Sequence, residues 1–293
     1  RCIPTVGYRP KKPVIAAVEG WCTGGALVVA GAASGSSQTF ASTTLNQGSA
    51  DITATGTNTN LTLGAINRSL GSTLNVTLPA GGSVNVTGSD GLIGGWATVN
   101  GSDWATYLTP GGNAGYGGVI ALGTGSIPNY MYSTAALASG GPTDNISSAG
   151  VSAVTTRTLN SLKITGTDLN LLGFDQTLTI GTGGMIFTAS QNNRGGRLTA
   201  GTAAGASLYV LPTSGVTTTL QFNIVDNAGG AVNLVKAGAG QVTLGVSPVG
   251  AASAFSANTL TVGSTANYAV GLANNTLAPT GAIITAIPFR SHL

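Results

Sequence analysis

Three aromatic residues within one short stretch carry the clearest chemistry the chain offers: Trp96, Trp104 and Tyr107. Trp96 and Trp104, with Asp103 just before the second, fit a sugar-stacking platform in which indole faces lie flat on pyranose rings. The more ordinary arrangement is a hairpin that folds over and packs its own aromatics, because tryptophan buries a large area wherever it lands. Catalysis asks for more. Glycoside hydrolysis needs two carboxylates placed across a scissile bond, and the eight carboxylates here are Glu19, Asp51, Asp90, Asp103, Asp144, Asp168, Asp175 and Asp226. The nearest pairs, Asp168 with Asp175 and Asp90 with Asp103, have no acidic neighbour and no nearby histidine, so they read as turn and strand-end residues. Ser–His–Asp chemistry would depend on His292, the single histidine, next to the last residue. Cys2 and Cys22 are the two cysteines, and they fit either a disulfide or two unrelated thiols. With no C-x-x-C and one histidine, no metal site and no cofactor is expected. The chain reads as non-enzymatic.

The elements that must position these side chains are strands. Runs such as Thr73-Leu-Asn-Val-Thr-Leu78, Ser161-Leu-Lys-Ile-Thr165, Gln176-Thr-Leu-Thr-Ile180 and Gln241-Val-Thr-Leu244 alternate apolar with Thr, Ser or Asn. A period of two marks a strand with one buried face. Turns of Gly-Gly, Gly-Thr-Gly or Asn-Asn divide the runs in a loose repeat without a strict period, and almost nothing reads as helix. Such a unit cannot bury its apolar face alone, but stacked units bury a continuous column. The pattern predicts an all-β chain, a parallel β-helix or β-solenoid, with an antiparallel β-sandwich as the alternative. Leu162, Ile164, Leu169, Leu171, Leu178, Ile180 and Ile186 are expected to point inward.

Charge narrows the function. Only 6% of the 293 residues are charged, while 46 are glycine and 42% are hydrophobic, which excludes a disordered chain. The net charge is +3, but Arg1, Arg9, Lys11 and Lys12 supply the excess; from residue 13 onward seven positive charges meet eight negative ones. No basic patch remains to neutralise phosphates, so nucleic acid is not an expected partner. Glu19 and the glycines Gly20, Gly24 and Gly25 interrupt the apolar stretch after Pro13, which leaves no membrane span.

Residues 1–35 differ from the rest of the chain and are expected to form an N-terminal leader, an anchor or an inter-subunit segment, with 36–293 as the solenoid body. Within them, Lys12-Pro-Val-Ile-Ala-Ala-Val-Glu-Gly-Trp-Cys-Thr-Gly-Gly25 resembles the strand and glycine turn of the crotonase (enoyl-CoA hydratase) family, where the turn helps to hold a thioester oxyanion. The likeness covers this short stretch only, and the carboxylates C-terminal to it do not complete such an enzyme.

The body carries a second resemblance. Val235-Lys-Ala-Gly-Ala-Gly-Gln-Val-Thr-Leu244 is similar to the "TK-x-G-x-G-x-L-T-L" core of the bacterial autotransporter-associated β-strand repeat. Lys236 stands at its lysine, and Gly238 and Gly240 at its paired glycines. Gln221 to Leu234 resembles the strand and turn before that core. Gly91-Leu-Ile-Gly-Gly-Trp-Ala-Thr-Val-Asn-Gly-Ser-Asp-Trp-Ala105 resembles a "GGWA…DWA" segment of large secreted proteins. The likeness spans about residues 85–262 and departs after Leu244, where Gly245-Val-Ser-Pro-Val-Gly-Ala-Ala-Ser-Ala254 replaces the usual Asn-Thr-Tyr-x-Gly-Gly-Thr. It implies a secreted or surface β-solenoid passenger.

Two functions emerge as expectations. The first is a structural surface protein, extracellular or on the cell surface, that self-assembles as a homo-oligomer or polymer into a fibre or sheath, since open solenoid ends expose unpaired backbone groups. The alternative is a monomeric adhesin or polysaccharide-binding passenger that uses Trp96, Trp104 and Tyr107.

Overall fold

Alternating Leu or Val with Thr builds a strand that is apolar on one face only, and the chain satisfies that face by winding rather than by pairing hairpins. A computed structural model describes residues 25–32, 34–113, 116–124, 130–171 and 175–244, together with the backbone of three later strands. The Cys2–Cys22 pair, His292 and residues 12–24 lie outside the described residues.

The first turn of the winding is β1 (Gly25–Ala30), β2 (Ser36–Thr39) and β3 (Ser42–Leu45). The second is β4 (Gly48–Thr55), β5 (Thr59–Thr62) and β6 (Ala65–Arg68). β7 (Ser72–Thr77) and β8 (Ser83–Asn85) open the third. Equivalent strands pair in parallel: β1 with β4, β4 with β7, β2 with β5, β3 with β6. Paired residues on successive rungs are 23 to 25 apart, and Asn75 Nδ2 donates to Asp51 Oδ1, 24 residues earlier, at 3.0 Å. β1 lies within the first 35 residues, yet its strand belongs to this first sheet.

The stack is then closed by antiparallel pairing. β9 (Gly91–Leu92), β10 (Ala97–Val99), β11 (Asp103–Asn113) and β12 (Tyr116–Ala121) come next. β10 joins β7 in parallel, but β11 turns back on β10 and pairs antiparallel with β9 and β12. Asn100 and Gly101, both at positive φ (53° and 67°), make the tight reversal from β10 into β11.

A second solenoid begins after this hairpin. Its rungs are β13 (Asn145–Ser148), β14 (Val151–Val154) and β15 (Arg157–Leu159), then β16 (Ser161–Ile164), β17 (Leu169–Leu171) and β18 (Thr177–Ile180). β19 (Gly184–Phe187) and β20 (Gln191–Ala200) continue the winding, then β21 (Ser207–Pro212) and β22 (Thr217–Ile224). β23 (Asn233–Lys236) and β24 (Gln241–Leu244) lie on the next rung. β25 (Thr259–Val262), β26 (Tyr268–Val270) and β27 (Ile283–Thr285) extend the sheets. One long parallel sheet runs β13-β16-β19-β21-β23-β25-β27, and a second carries β14, β17, β20, β22, β24 and β26. The architecture is an all-β parallel solenoid, and the antiparallel sandwich is set aside: among the described strands antiparallel ladders occur only around β11. No helix occurs among the described residues, and none is long and apolar enough to cross a membrane.

Each solenoid has its own core. Val29, Ile52, Leu61, Leu74, Val76 and Val84 fill the first. Leu162, Ile164, Leu169, Leu171, Leu178 and Ile180 fill the second, as alternation predicts, with Met185 and Phe187 above them. Ile186 departs from the expectation. Between two inward residues on β19 it must point outward, and it is nevertheless fully buried, in a third cluster. The sequence Gly-Met-Ile-Phe is apolar at both parities because both faces of β19 are covered.

The repeat signature has a local cause. Lys236 shares its parity with inward Leu234 and opposes core residue Val210 one rung below. Its ammonium donates to Gly238 O at 2.7 Å, and burial lowers its pKa from 10.5 to about 8. Gly238 turns the chain at φ 72°, where a Cβ would stand 2.5 Å from Pro212 O; at Gly240 one would stand 2.3 Å from Thr213 O. The paired glycines thus let one turn lie directly on the turn beneath.

Candidate functional site

The outward faces of β19, β21 and β23 are apolar: Ile186, Tyr209, Leu211, Val235 and Ala237 are all buried. What covers them is the end of the first solenoid, through Trp104 and Leu122, with Leu92, Trp96 and Tyr132 packed around. The two solenoids therefore lie side by side, sheet against sheet. Glycine lets them approach: a Cβ on Gly95 would stand 2.4 Å from Gly184 N, and one on Gly184 would stand 2.5 Å from Trp104 Cη2. Asp103 of β11 reaches across to an ion pair with Lys163 of β16 and accepts the Tyr132 hydroxyl at 3.0 Å. Burial first, and the Asp103 charge second, push the Tyr132 hydroxyl far above its ordinary range.

This seam opens at one edge into a cleft of about 440 Å³. Arg68, at the end of β6, lies with its guanidinium 4.0 Å from the centroid of the Trp96 ring. Its Nη2 donates to Tyr209 Oη at 2.7 Å and to Ser72 O at 3.0 Å. Stacking and two hydrogen bonds fix the plane of an otherwise exposed side chain. Ser207 shares the outward parity of Tyr209 on β21. The opposite wall is Gly181, Thr182, Gly201, Gly205 and Ala206, mostly backbone, and nothing stands within 4 Å of where a Cβ of Gly205 would be. The cleft offers one cation, hydroxyls and exposed peptide groups. That is chemistry for holding a polar ligand; no proton-transfer pair is present among its residues.

The structure separates the three aromatics singled out by the sequence. Trp104 is completely buried, and its Nε1 has no hydrogen-bond partner. Tyr107, also buried, belongs to the core of the first solenoid. Neither presents a face on which a sugar could stack, and Trp104 sits on the hairpin strand β11. Trp96 alone reaches the surface, and Arg68 covers one of its faces. Sequence reasoning missed Arg68, Tyr209 and Ser207. One signal pointed to Arg68: it is the sole positive charge between Lys12 and Arg157.

Asp90, Asp144 and Asp168 each accept a backbone N–H. Asp90 accepts Thr109 N at 2.7 Å and Thr109 Oγ1 at 2.6 Å, which hold its carboxyl below the usual range. Asp144 accepts Gly141 N at 2.8 Å, and Asp168 accepts Asn192 N one rung away at 2.8 Å. Asp175 accepts Gln176 Nε2 at 3.2 Å. Among the described residues no three His, Cys, Asp or Glu side chains come together.

The chain is 33% identical over 275 residues to the Adhesin BmaC autotransporter of Brucella suis biovar 1 (strain 1330). The match takes in 87% of this chain and spans 8% of that protein's length. No family model matches the chain, and no solved structure does. The crotonase resemblance of residues 12–25 thus finds no support. A β-solenoid that is similar to an autotransporter adhesin over most of its own length is a protein of the cell surface or of the space outside it.

Proposed function

We propose that the chain is a segment of an adhesin-type passenger: a non-catalytic surface β-solenoid that holds a polysaccharide in the cleft between its two stacks. The observation that carries this is the cleft itself, where Arg68 is held on Trp96 and bonded to Tyr209 beside a wall of glycine backbone. The cleft lies where the two stacks meet, so residues of both reach a ligand held there, Arg68 and Trp96 from one and Tyr209 and Ser207 from the other. The likeness to an adhesin favours this reading over the self-assembling fibre or sheath.

The test is a glycan array probed with the purified chain, then Trp96→Ala with the fold checked by circular dichroism. The expected result is retention of at least one polysaccharide and its loss in the variant. An array without a hit, or a hit indifferent to Trp96→Ala, would sink the reading. Sedimentation of the same sample at rising concentration addresses the fibre: monomer throughout accords with a passenger, whereas growing polymers would restore self-assembly.

A further inference from the structure

We infer that the cleft selects a sugar bearing a carboxylate, a uronic or sialic acid residue, with Arg68 as its anion contact. This deepens the reading above and rests on it. Arg68 makes no ion pair with any described residue. Among the described residues no carboxylate lines the cleft, and Arg68 is its one charged side chain. Tyr209 and Ser72 occupy Nη2, while Nη1 and Nε bond to no described residue and keep donors for a ligand.

The charge count selects the anion. A phosphate dianion is met by several cations or by a helix terminus, and the cleft has one guanidinium and no helix. One guanidinium balances a monoanion, and the planar fork matches a carboxylate. The volume of about 440 Å³ exceeds what a free inorganic anion fills and lies in the range of small-ligand sites. Ser207 and Thr182 line it with hydroxyls, and the glycine wall exposes peptide groups, partners for the remaining hydroxyls of a ring. Leu70, 54% exposed at the mouth, offers an apolar edge for a ring face.

The experiment is equilibrium binding of the intact chain to 3′-sialyllactose and to a glucuronate-containing hyaluronan tetrasaccharide, with neutral lactose and inorganic sulfate alongside. The acidic sugars are expected to bind at least about tenfold more tightly than lactose, the effect of one charge-assisted hydrogen bond, and more weakly as salt rises. Arg68→Gln should abolish that preference, so that acidic sugars bind the variant no more tightly than lactose does. Leu70→Glu, a change at an exposed side chain that leaves the seam intact, should oppose the acidic sugars in the same way and guards against a folding defect in the first variant. Which of the two acidic probes binds separates a sialic from a uronic source. Equal binding of lactose and the acidic sugars would overturn the inference while leaving glycan binding standing. Sulfate displacing the acidic sugars at equal concentration would overturn it as well. Absence of binding to every sugar would overturn both.

Discussion

Replacing Gly184 by alanine places a methyl group at the contact between the two solenoids. The added Cβ would stand 2.5 Å from Trp104 Cη2 and 2.6 Å from Gly95 Cα, where ordinary contact begins at 3.4 Å. Relief requires the β9–β11 region to retreat by about 0.9 Å, because Trp104 is fully buried and Gly95 presents backbone that cannot rotate away. Overpacking of this kind costs about 1–3 kcal/mol. Gly88→Ala serves as the control, since nothing stands within 4 Å of its Cβ, and surface changes of that sort stay within about 0.5 kcal/mol. Solenoids open rung by rung, so the assay is urea unfolding combined with amide hydrogen exchange. The expected result is a lower midpoint for Gly184→Ala, with protection lost first in β10, β11 and β19. If Gly184→Ala unfolds with Gly88→Ala and the wild type, the two stacks do not meet at Gly95 and Gly184, and the cleft built on that contact goes with them.

Trp104→Ala empties the seam of its largest side chain and should cost about 3–5 kcal/mol, read by the same unfolding experiment; it would therefore say nothing specific about sugar binding. Asp103→Asn removes the charge that pairs with Lys163 across the seam and leaves a partly buried ammonium uncompensated, so the urea midpoint should fall; an unchanged midpoint would show that Asp103 and Lys163 do not pair. Lys236 gives a pH signature. Its pKa falls from 10.5 unfolded to about 8 folded, so below pH 8 both states hold the proton and the folded chain bears the full cost of burying it. Between those values the unfolded state binds the proton more tightly, and stability should rise with pH. Lys236→Met should flatten that rise across the window, measured by thermal unfolding at several pH values against wild type.

How much of this was legible depends on how many faces of a strand are buried. Strands with one covered face announce themselves: β16 and β18 read Ser-Leu-Lys-Ile and Thr-Leu-Thr-Ile, and the leucines and isoleucines predicted to point inward do so. β19 and β21 are buried on both sides, and there parity vanishes from the sequence. Met, Ile and Phe on β19 are equally apolar, which is why Ile186 reads as an inward residue although it faces the neighbouring stack. β2 and β3 are silent in the sequence for the opposite reason. Ser-Ser-Gln-Thr and Ser-Thr-Thr-Leu carry almost no apolar signal, and they are held by parallel ladders to β5 and β6 rather than by their own composition.

The site was less legible than the fold because it belongs to neither stack alone. Arg68 and Tyr209 stand 141 residues apart in the chain and meet through one 2.7 Å hydrogen bond. Spacing rules read residues within an element or across neighbouring elements, and no such rule links the last residue of β6 to the outer face of β21. Composition holds the one available clue. In a chain with so few charges, an arginine far from every other cation must be balanced by a carboxylate, exposed to water, or kept for a ligand. Stacking on Trp96 and bonding to Tyr209 restrict its motion without neutralising it. Holding a guanidinium in one orientation costs side-chain entropy, and the Trp96 and Tyr209 contacts meet that cost before any ligand arrives. An anion in the cleft would therefore meet a pre-oriented, unneutralised fork, which is the argument for a carboxylate there.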